Sequence, residues 1–484
     1  MQKKFVTNLA LVLALNLLIK PFWILGIDRA VQNVVGTEQY GFYYAIFNFS
    51  FLLNILLDLG ITNFNNKNIA QNNHLLSKHF PSIVLLRILL AAVFSVITLG
   101  GGWIIGYTPD MLKMLAAVLL NQILISFIMY LRSNLAGLHL FRTDSVISVL
   151  DRLIMIVICG FLLLTHTQPG TFQLKWFVYA QTAAYLITFG ITFILVLDKA
   201  KSPRFTWNWP FFLMILKKSY PYAILVLLMT FYNRIDGVML ERLLNFREGA
   251  VAAGIYAQAY RLLDAANMIA FLFAGLLLPI FARMLKLKQH VQEMTDLSFS
   301  LLVIPAVVVS VTCSFYSNQF MQLLYSGEHV RESAEVFRIL MWCFVPISTT
   351  YIYGTLLTAN GSLRQLNLMA TGGMLLNIGL NTYLIPRYQA AGAAFSSLVT
   401  QSLTCLAQVV MVRLTFRFED TWLLLARLTV FFCLSLAWTY FTTTWPGGWM
   451  MRFLCAALGC IGAALLMRLI DPRNIYRIVR YEEV

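Results

Sequence analysis

Stretches of about 20 apolar residues, parted only by short polar breaks, recur along the whole chain and narrow its fold more than any other feature. A helix of that length just crosses a bilayer, and it satisfies its own backbone polar groups where no water is present to do so. With 59% of residues hydrophobic and 12% charged, a soluble globular domain is excluded. The apolar windows predict about fourteen helices, at roughly 6–27, 40–63, 81–106, 111–134, 144–166, 173–197, 219–241, 251–280, 296–317, 335–358, 365–385, 391–413, 420–441 and 448–470. The fold class is therefore an all-α polytopic membrane protein. The first window follows Lys3 and Lys4 but lacks a small-residue cleavage site, so it is read as an uncleaved span.

A net charge of +15 raises the question of nucleic acid, and the placement of the charges answers it. With the N-terminus inside, the cytoplasmic segments carry Lys3, Lys4, Lys67, Lys78, Arg132, Arg142, Lys199, Lys201, Arg204, Lys217, Lys218, Arg283, Lys286, Lys288, Arg364, Arg413, Arg417 and the tail from Arg468 to Arg480. The outer loops carry chiefly Arg29, Arg242, Arg247, Arg331 and Arg387. This asymmetry, roughly threefold, is the positive-inside signature of a membrane protein with both termini in the cytoplasm. No nucleic-acid partner is expected. Seven cysteines lie in apolar windows and read as small packing residues. The six histidines fall at span ends or in loops, so no metal site is expected.

Residues 28–43 (DRAVQNVVGTEQYGFY) recur in outline at 241–256 (ERLLNFREGAVAAGIY), at a constant offset of about 213 positions. Asp28 and Arg29 align with Glu241 and Arg242, Gly36 with Gly249, Gly41 with Gly254, and Tyr43 with Tyr256. The membrane domain is thus read as a duplication, with a six-helix lobe over 1–197, an interfacial linker over 198–218 and a second six-helix lobe over 219–413. Residues 414–484 add two helices and a tail. Six spans return the chain to its starting side, so the repeats share one orientation and relate by an axis along the membrane normal, around a central cavity. Trp207, Trp209, Phe211 and Phe212 place the linker at headgroup depth.

Residues 359–401, ANGSLRQLNLMATGGMLLNIGLNTYLIPRYQAAGAAFSSLVTQ, combine a small-residue turn, a helix bearing Asn377 and Asn381, an Ile-Pro-Arg turn and a Gly-Ala-Ala helix start. Leu57-Asp58-Leu59-Gly60, Asn233-Arg234-Ile235-Asp236 with Leu240, and Gly254-Ile255-Tyr256 with Tyr260 and Arg261 are further motifs. Together they resemble the oligosaccharide flippase family, the transporters of lipid-linked repeat units in the superfamily that also holds the multidrug exporters and the lipid II flippase. The chain departs from that pattern at Lys67, where relatives often carry arginine, and at Gln389, where the family commonly has glycine. The resemblance implies a lipid-linked oligosaccharide as cargo and a place beside polysaccharide assembly enzymes in a bacterial cytoplasmic membrane; a monomer is expected, since one chain already contains both halves of the cavity.

A charge at the bilayer centre costs about 2.5–3.5 kcal/mol, so each one needs a partner or a watery cavity. Lys20 and Arg234 each lie about 15 residues into their spans, roughly 22 Å up, and nearly align under the repeat offset. Arg261, with Asp264 at i+3, and Arg152, beside Asp151, are further candidates for an anionic cargo, and so is Asn377, which shares a face with Asn381. Arg87, Arg338, Arg427 and Arg452 lie near span ends and are read as reaching the headgroups.

No phosphate-binding G-x-x-x-x-G-K-[ST] stretch occurs, so the expected energy source is a gradient of Na⁺ or protons acting on Asp236, Asp264 or Asp58, with passive, gradient-independent flipping as the alternative. No cofactor and no catalytic residue are expected. The leading function is a flippase moving a polyprenyl-pyrophosphate-linked oligosaccharide from the inner to the outer leaflet by alternating access. Its rivals are a cation-coupled multidrug exporter and a membrane-embedded polysaccharide polymerase or ligase. The latter would use the longest outer stretch, about 317–334, where His329 and Arg331 lie.

Overall fold

The computed structural model describes residues 15–16, 18–62, 65, 69, 75–138, 140–165, 172–200, 209–418 and 422–469. Every regular element among them is helical. A π-helical turn, Trp23–Asp28, leads into α1 (Arg29–Leu52), followed by α2 (Leu75–Ile104), α3 (Pro109–Gly137), α4 (Phe141–Thr165), α5 (Leu174–Ala200), α6 (Trp209–Leu243) and α7 (Phe246–Lys286). Then come α8 (Gln292–Phe315), α9 (Ser317–Leu324), α10 (Val330–Trp342), α11 (Phe344–Ala359), α12 (Leu363–Phe416), α13 (Trp422–Thr443) and α14 (Trp449–Leu466). Among the described residues ten helical stretches are long and apolar enough to cross a membrane. The chain is a multi-pass membrane protein.

Several expected boundaries move for local physical reasons. α1 stops at Leu52, short of the window's end at 63, because the Asp58 carboxylate accepts the backbone N–H groups of Gly60 and Thr62 and holds a turn there. The 54 residues of α12 are two helices broken at Gln389, where φ 48° and ψ −128° lie outside the helical region. This is a conformation glycine adopts freely, which accounts for the residue the family prefers there. The stretch 317–334 is no open loop: it forms α9, a turn and the start of α10. The linker is partly helical, since α6 begins at Trp209 and buries Phe212, while Trp207 lies outside the described residues. Lys3, Lys4, Lys67, Lys201, Arg204 and the tail beyond Leu469 lie outside them too.

Contacts divide the chain into two compact units, Met1–Ala257 and Gln258–Val484. In the first, α1 packs along α6, α3 along α5, and α4 along α5. In the second, α8 packs on α10, α11, α13 and α14, and α12 on α10 and α11.

The duplicated segment meets its copy inside the first unit. A methyl group on Gly41 of α1 would run into the Ala250 carbonyl oxygen, and one on Gly254 of α7 into the Thr37 carbonyl oxygen. The contact is reciprocal, because 37 and 250 are separated by the same offset of about 213 as 41 and 254. Only glycine lets two backbones approach so closely in a membrane. Gly254→Val is expected to destabilise the protein by about 1–3 kcal/mol through overpacking, read as a lowered melting temperature in detergent, whereas Gly275→Val, in open space on the same helix, should leave it unchanged. Equal melting of the two variants would refute the contact.

Candidate functional site

The first unit gathers cations and aromatic rings that lie far apart in sequence. Pro21 removes one rung of the helical hydrogen-bond ladder, and the chain widens into the π turn just after it, where Trp23 is buried. The Asn16 amide donates to the Ser148 hydroxyl at 3.1 Å, which fixes this first span against α4. Arg152 of α4 comes to rest with its guanidinium 5.6 Å from the Trp23 ring and 5.9 Å from the Tyr185 ring, and donates to the Tyr185 hydroxyl at 3.2 Å. Asp151 stands 3.7 Å from it. Lys20 is an electrostatic neighbour of Arg152, Arg132 and Asp151. Arg132 is itself paired with Asp144 at 2.7 Å.

From Trp23 a chain of rings runs along α1. Trp23 stacks on Phe177 at 5.9 Å, Phe177 meets Tyr43 edge-on at 5.6 Å, Tyr43 meets Phe47 at 6.0 Å, and Phe47 stacks on Phe51 at 5.8 Å. Residues 43, 47 and 51 share one helical face by their i, i+4, i+8 spacing. Beyond Phe51, at 5.5 Å from its ring, lies the guanidinium of Arg234 on α6. Arg152 and Arg234 thus stand at the two ends of one aromatic track. Gln181 anchors its middle by donating to the Tyr43 hydroxyl at 3.1 Å.

The remaining candidates are placed otherwise. Asp236, 1% exposed, accepts the Tyr256 hydroxyl at 2.7 Å. Asn48 of α1 is fully buried, with neither amide atom hydrogen-bonded, and its nitrogen lies against Gly237, the residue after Asp236 in α6. In the second unit Arg261 and Asp264 face each other at 3.9 Å. Asn377 is fully buried in α12, where its side-chain oxygen accepts from Asn381 at 3.0 Å. Asp58 forms an ion pair and hydrogen bond with Arg87.

Arg87 corrects the sequence reading. It is 1% exposed and does not reach the headgroups: it donates to Ser126 Oγ at 2.8 Å and Thr62 Oγ1 at 2.7 Å, and lies 4.9 Å from the Tyr130 ring. A carboxylate within reach made burial the lower-energy choice. Sequence reasoning also missed the aromatic track, for which the spacing of Tyr43, Phe47 and Phe51 was a legible signal. It missed Asp28 as well, buried in the π turn and bonded to the Tyr40 hydroxyl at 2.9 Å and the Gln32 amide at 3.2 Å.

The sequence matches the family model described as polysaccharide biosynthesis protein over residues 10–285. It matches no curated protein. Among solved structures, the fold is similar to the lipid II flippase MurJ in an inward closed conformation, with a TM-score of 0.70 and 14% identity over 94% of this chain and 97% of that one. It is similar to a multidrug resistance MATE family transporter in an outward-facing conformation, with a TM-score of 0.64 and 12% identity over 86% of this chain and 96% of that one. A MOP superfamily transporter from Pyrococcus furiosus, whose binding pocket is described as of reverse polarity, gives a TM-score of 0.58 and 13% identity over 85% and 94%.

Proposed function

The chain belongs to the polysaccharide biosynthesis protein family, and on that premise we propose that it is a flippase, which carries a polyprenyl-pyrophosphate-linked oligosaccharide from the inner to the outer leaflet of a bacterial cytoplasmic membrane. The observation that carries this reading is the aromatic track with cations at both ends. A pyrophosphate cannot shed its water in hydrocarbon without a cation to replace it, and a guanidinium held over aromatic rings is a preformed partner for it. Lys20 adds a second positive charge beside Arg152. The partly exposed rings of Phe47 and Phe51 suit the apolar faces of sugar rings, while Trp23 and Tyr43 are buried and support the track. Lys20, Arg152 and Arg234 are the cargo ligands of this reading; Arg261 and Asn377, each with a partner in the second unit, serve packing in the state described.

Transport draws on a gradient of Na⁺ or protons, since moving one charge through 100 mV is worth about 2.3 kcal/mol. Asp236, which is 1% exposed and accepts the Tyr256 hydroxyl at 2.7 Å, is the coupling carboxylate we favour, because it is the most deeply buried of the three candidates and would feel the binding of a proton or cation most strongly. A cationic-drug exporter would need carboxylates turned to its cargo. A polymerase or ligase would need a nucleophile and base, and His329 faces Glu332 at 3.8 Å, a pair that supplies no nucleophile.

Proteoliposomes holding the purified protein and a fluorescent polyprenyl-pyrophosphate oligosaccharide test the reading. The labelled lipid should become accessible in the opposite leaflet many-fold faster than in empty vesicles. A preparation that moves a cationic dye while leaving the lipid in place refutes it.

A further inference from the structure

The second unit contains a cleft that the cargo reading leaves unused. Its volume is about 330 Å³, and α8, α11, α12 and α13 line it, with Phe299, Val307, Tyr353, Val409 and Phe432 forming apolar walls and Arg413 standing at one end. That end is where α12 stops at Phe416 and the chain turns toward α13. Arg413 is exposed there, as are Arg417, next to the lining residue Phe418, and Arg427, next to the lining residue Leu428. One arginine thus lines the mouth of an apolar slot, and two more adjoin lining residues in the chain at that end. Glu419 and Asp420 follow Arg417 in sequence and lie outside the described residues. Asp296 lies within electrostatic reach of Tyr353.

We propose that this cleft binds one anionic membrane phospholipid, with an acyl chain in the slot and the phosphate on Arg413, Arg417 and Arg427. The walls offer few polar partners to water, and an unfilled slot forfeits the dispersion contacts of its lining side chains, so in a bilayer a hydrocarbon chain occupies it. The basic mouth selects the headgroup. Clusters of arginine at the end of transmembrane helices attract anionic lipid, each contributing a comparable increment. The site belongs to a bulk lipid rather than to the transported one on two grounds. The cleft needs α13, one of the two helices with no counterpart in the repeat, and the cation and aromatic groups suited to a pyrophosphate sugar lie in the first unit. The bound lipid would fasten α13 to α8, α11 and α12 and make stability depend on membrane composition.

The test uses the full-length protein, stripped of lipid in detergent and titrated with phosphatidylglycerol, with phosphatidylcholine of the same chains, or with a polyprenyl phosphate, binding being read by native mass spectrometry. One phosphatidylglycerol per chain should bind at least about tenfold more tightly than phosphatidylcholine. Arg413→Gln with Arg427→Gln should weaken it about 25-fold, at about fivefold per arginine. Val307→Trp, which fills the slot, should abolish it. Should that variant not fold, the double arginine variant, altered only at exposed positions, still decides. Equal retention by the wild type and the arginine variant overturns the proposal, as does equal affinity for the two phospholipids. Displacement of phosphatidylglycerol by the polyprenyl phosphate, lost in Val307→Trp, would assign the cleft to the cargo's chain instead and likewise overturn it. None of these outcomes bears on whether the protein flips its cargo.

Discussion

Arg87→Met is expected to destabilise the protein by about 1–3 kcal/mol, read as a lowered melting temperature in mild detergent. The substitution keeps the length and apolar stem of the side chain but removes the partner of Asp58 and the donors to Ser126 and Thr62. Asp58 is 28% exposed and so stays partly solvated without its cation, and the expected loss comes mainly from the half-buried hydroxyls of Ser126 and Thr62, which lose a donor, and the space around a side chain that is itself 1% exposed. The double variant Arg87→Met, Asp58→Asn should recover part of it. Gly60 and Thr62 donate to different oxygens of Asp58, so the one amide oxygen that the second substitution introduces keeps one of the two bonds that shape the turn after α1, and no unpaired charge is left. Melting temperatures of the single and double variants in one detergent decide the matter. A single variant that melts with the wild type would show that the pair and the two hydroxyl bonds contribute nothing.

Arg152→Gln should weaken binding of a short-chain polyprenyl-pyrophosphate sugar by roughly 10- to 100-fold, the range for losing a charge-assisted hydrogen bond in a desolvated site. Fold stability should change little, because the guanidinium is 27% exposed and Asp151, its nearest carboxylate, is 19% exposed. Arg152→Lys should recover only part of the affinity: lysine keeps the charge but loses the planar group that lies over Trp23 and Tyr185. Titrating the labelled lipid against the three proteins gives the dissociation constants. Affinities within twofold of one another would remove Arg152 from the cargo site, and the aromatic track would then be packing alone.

The membrane character, the helical fold and the approximate position of most spans were legible in the sequence. Hydropathy is a transfer property of a short segment, so it survives in the linear order of residues. The reciprocal crossing of Gly41 and Gly254 was half visible: their alignment marked them as equivalent, and only the fold showed that each faces the other copy's backbone. Gln389 was flagged as out of pattern, and the broken helix there supplies the reason.

Arg87 shows where such reading stops. Its distance from a span end suited a side chain reaching for headgroups, yet the partner that buries it, Asp58, comes from a turn 29 residues away. In the same way nothing in the sequence brings Lys20 beside Arg152, or sets Arg152 and Arg234 at opposite ends of one row of rings. The sequence by itself determined that these charges must be buried somewhere in a helical membrane protein, because composition and apolar run length fix what enters the bilayer. The tertiary structure alone decided which charges neutralise each other and which stand over aromatic faces. That choice depends on helix rotation and packing, which bring together side chains that no local pattern connects.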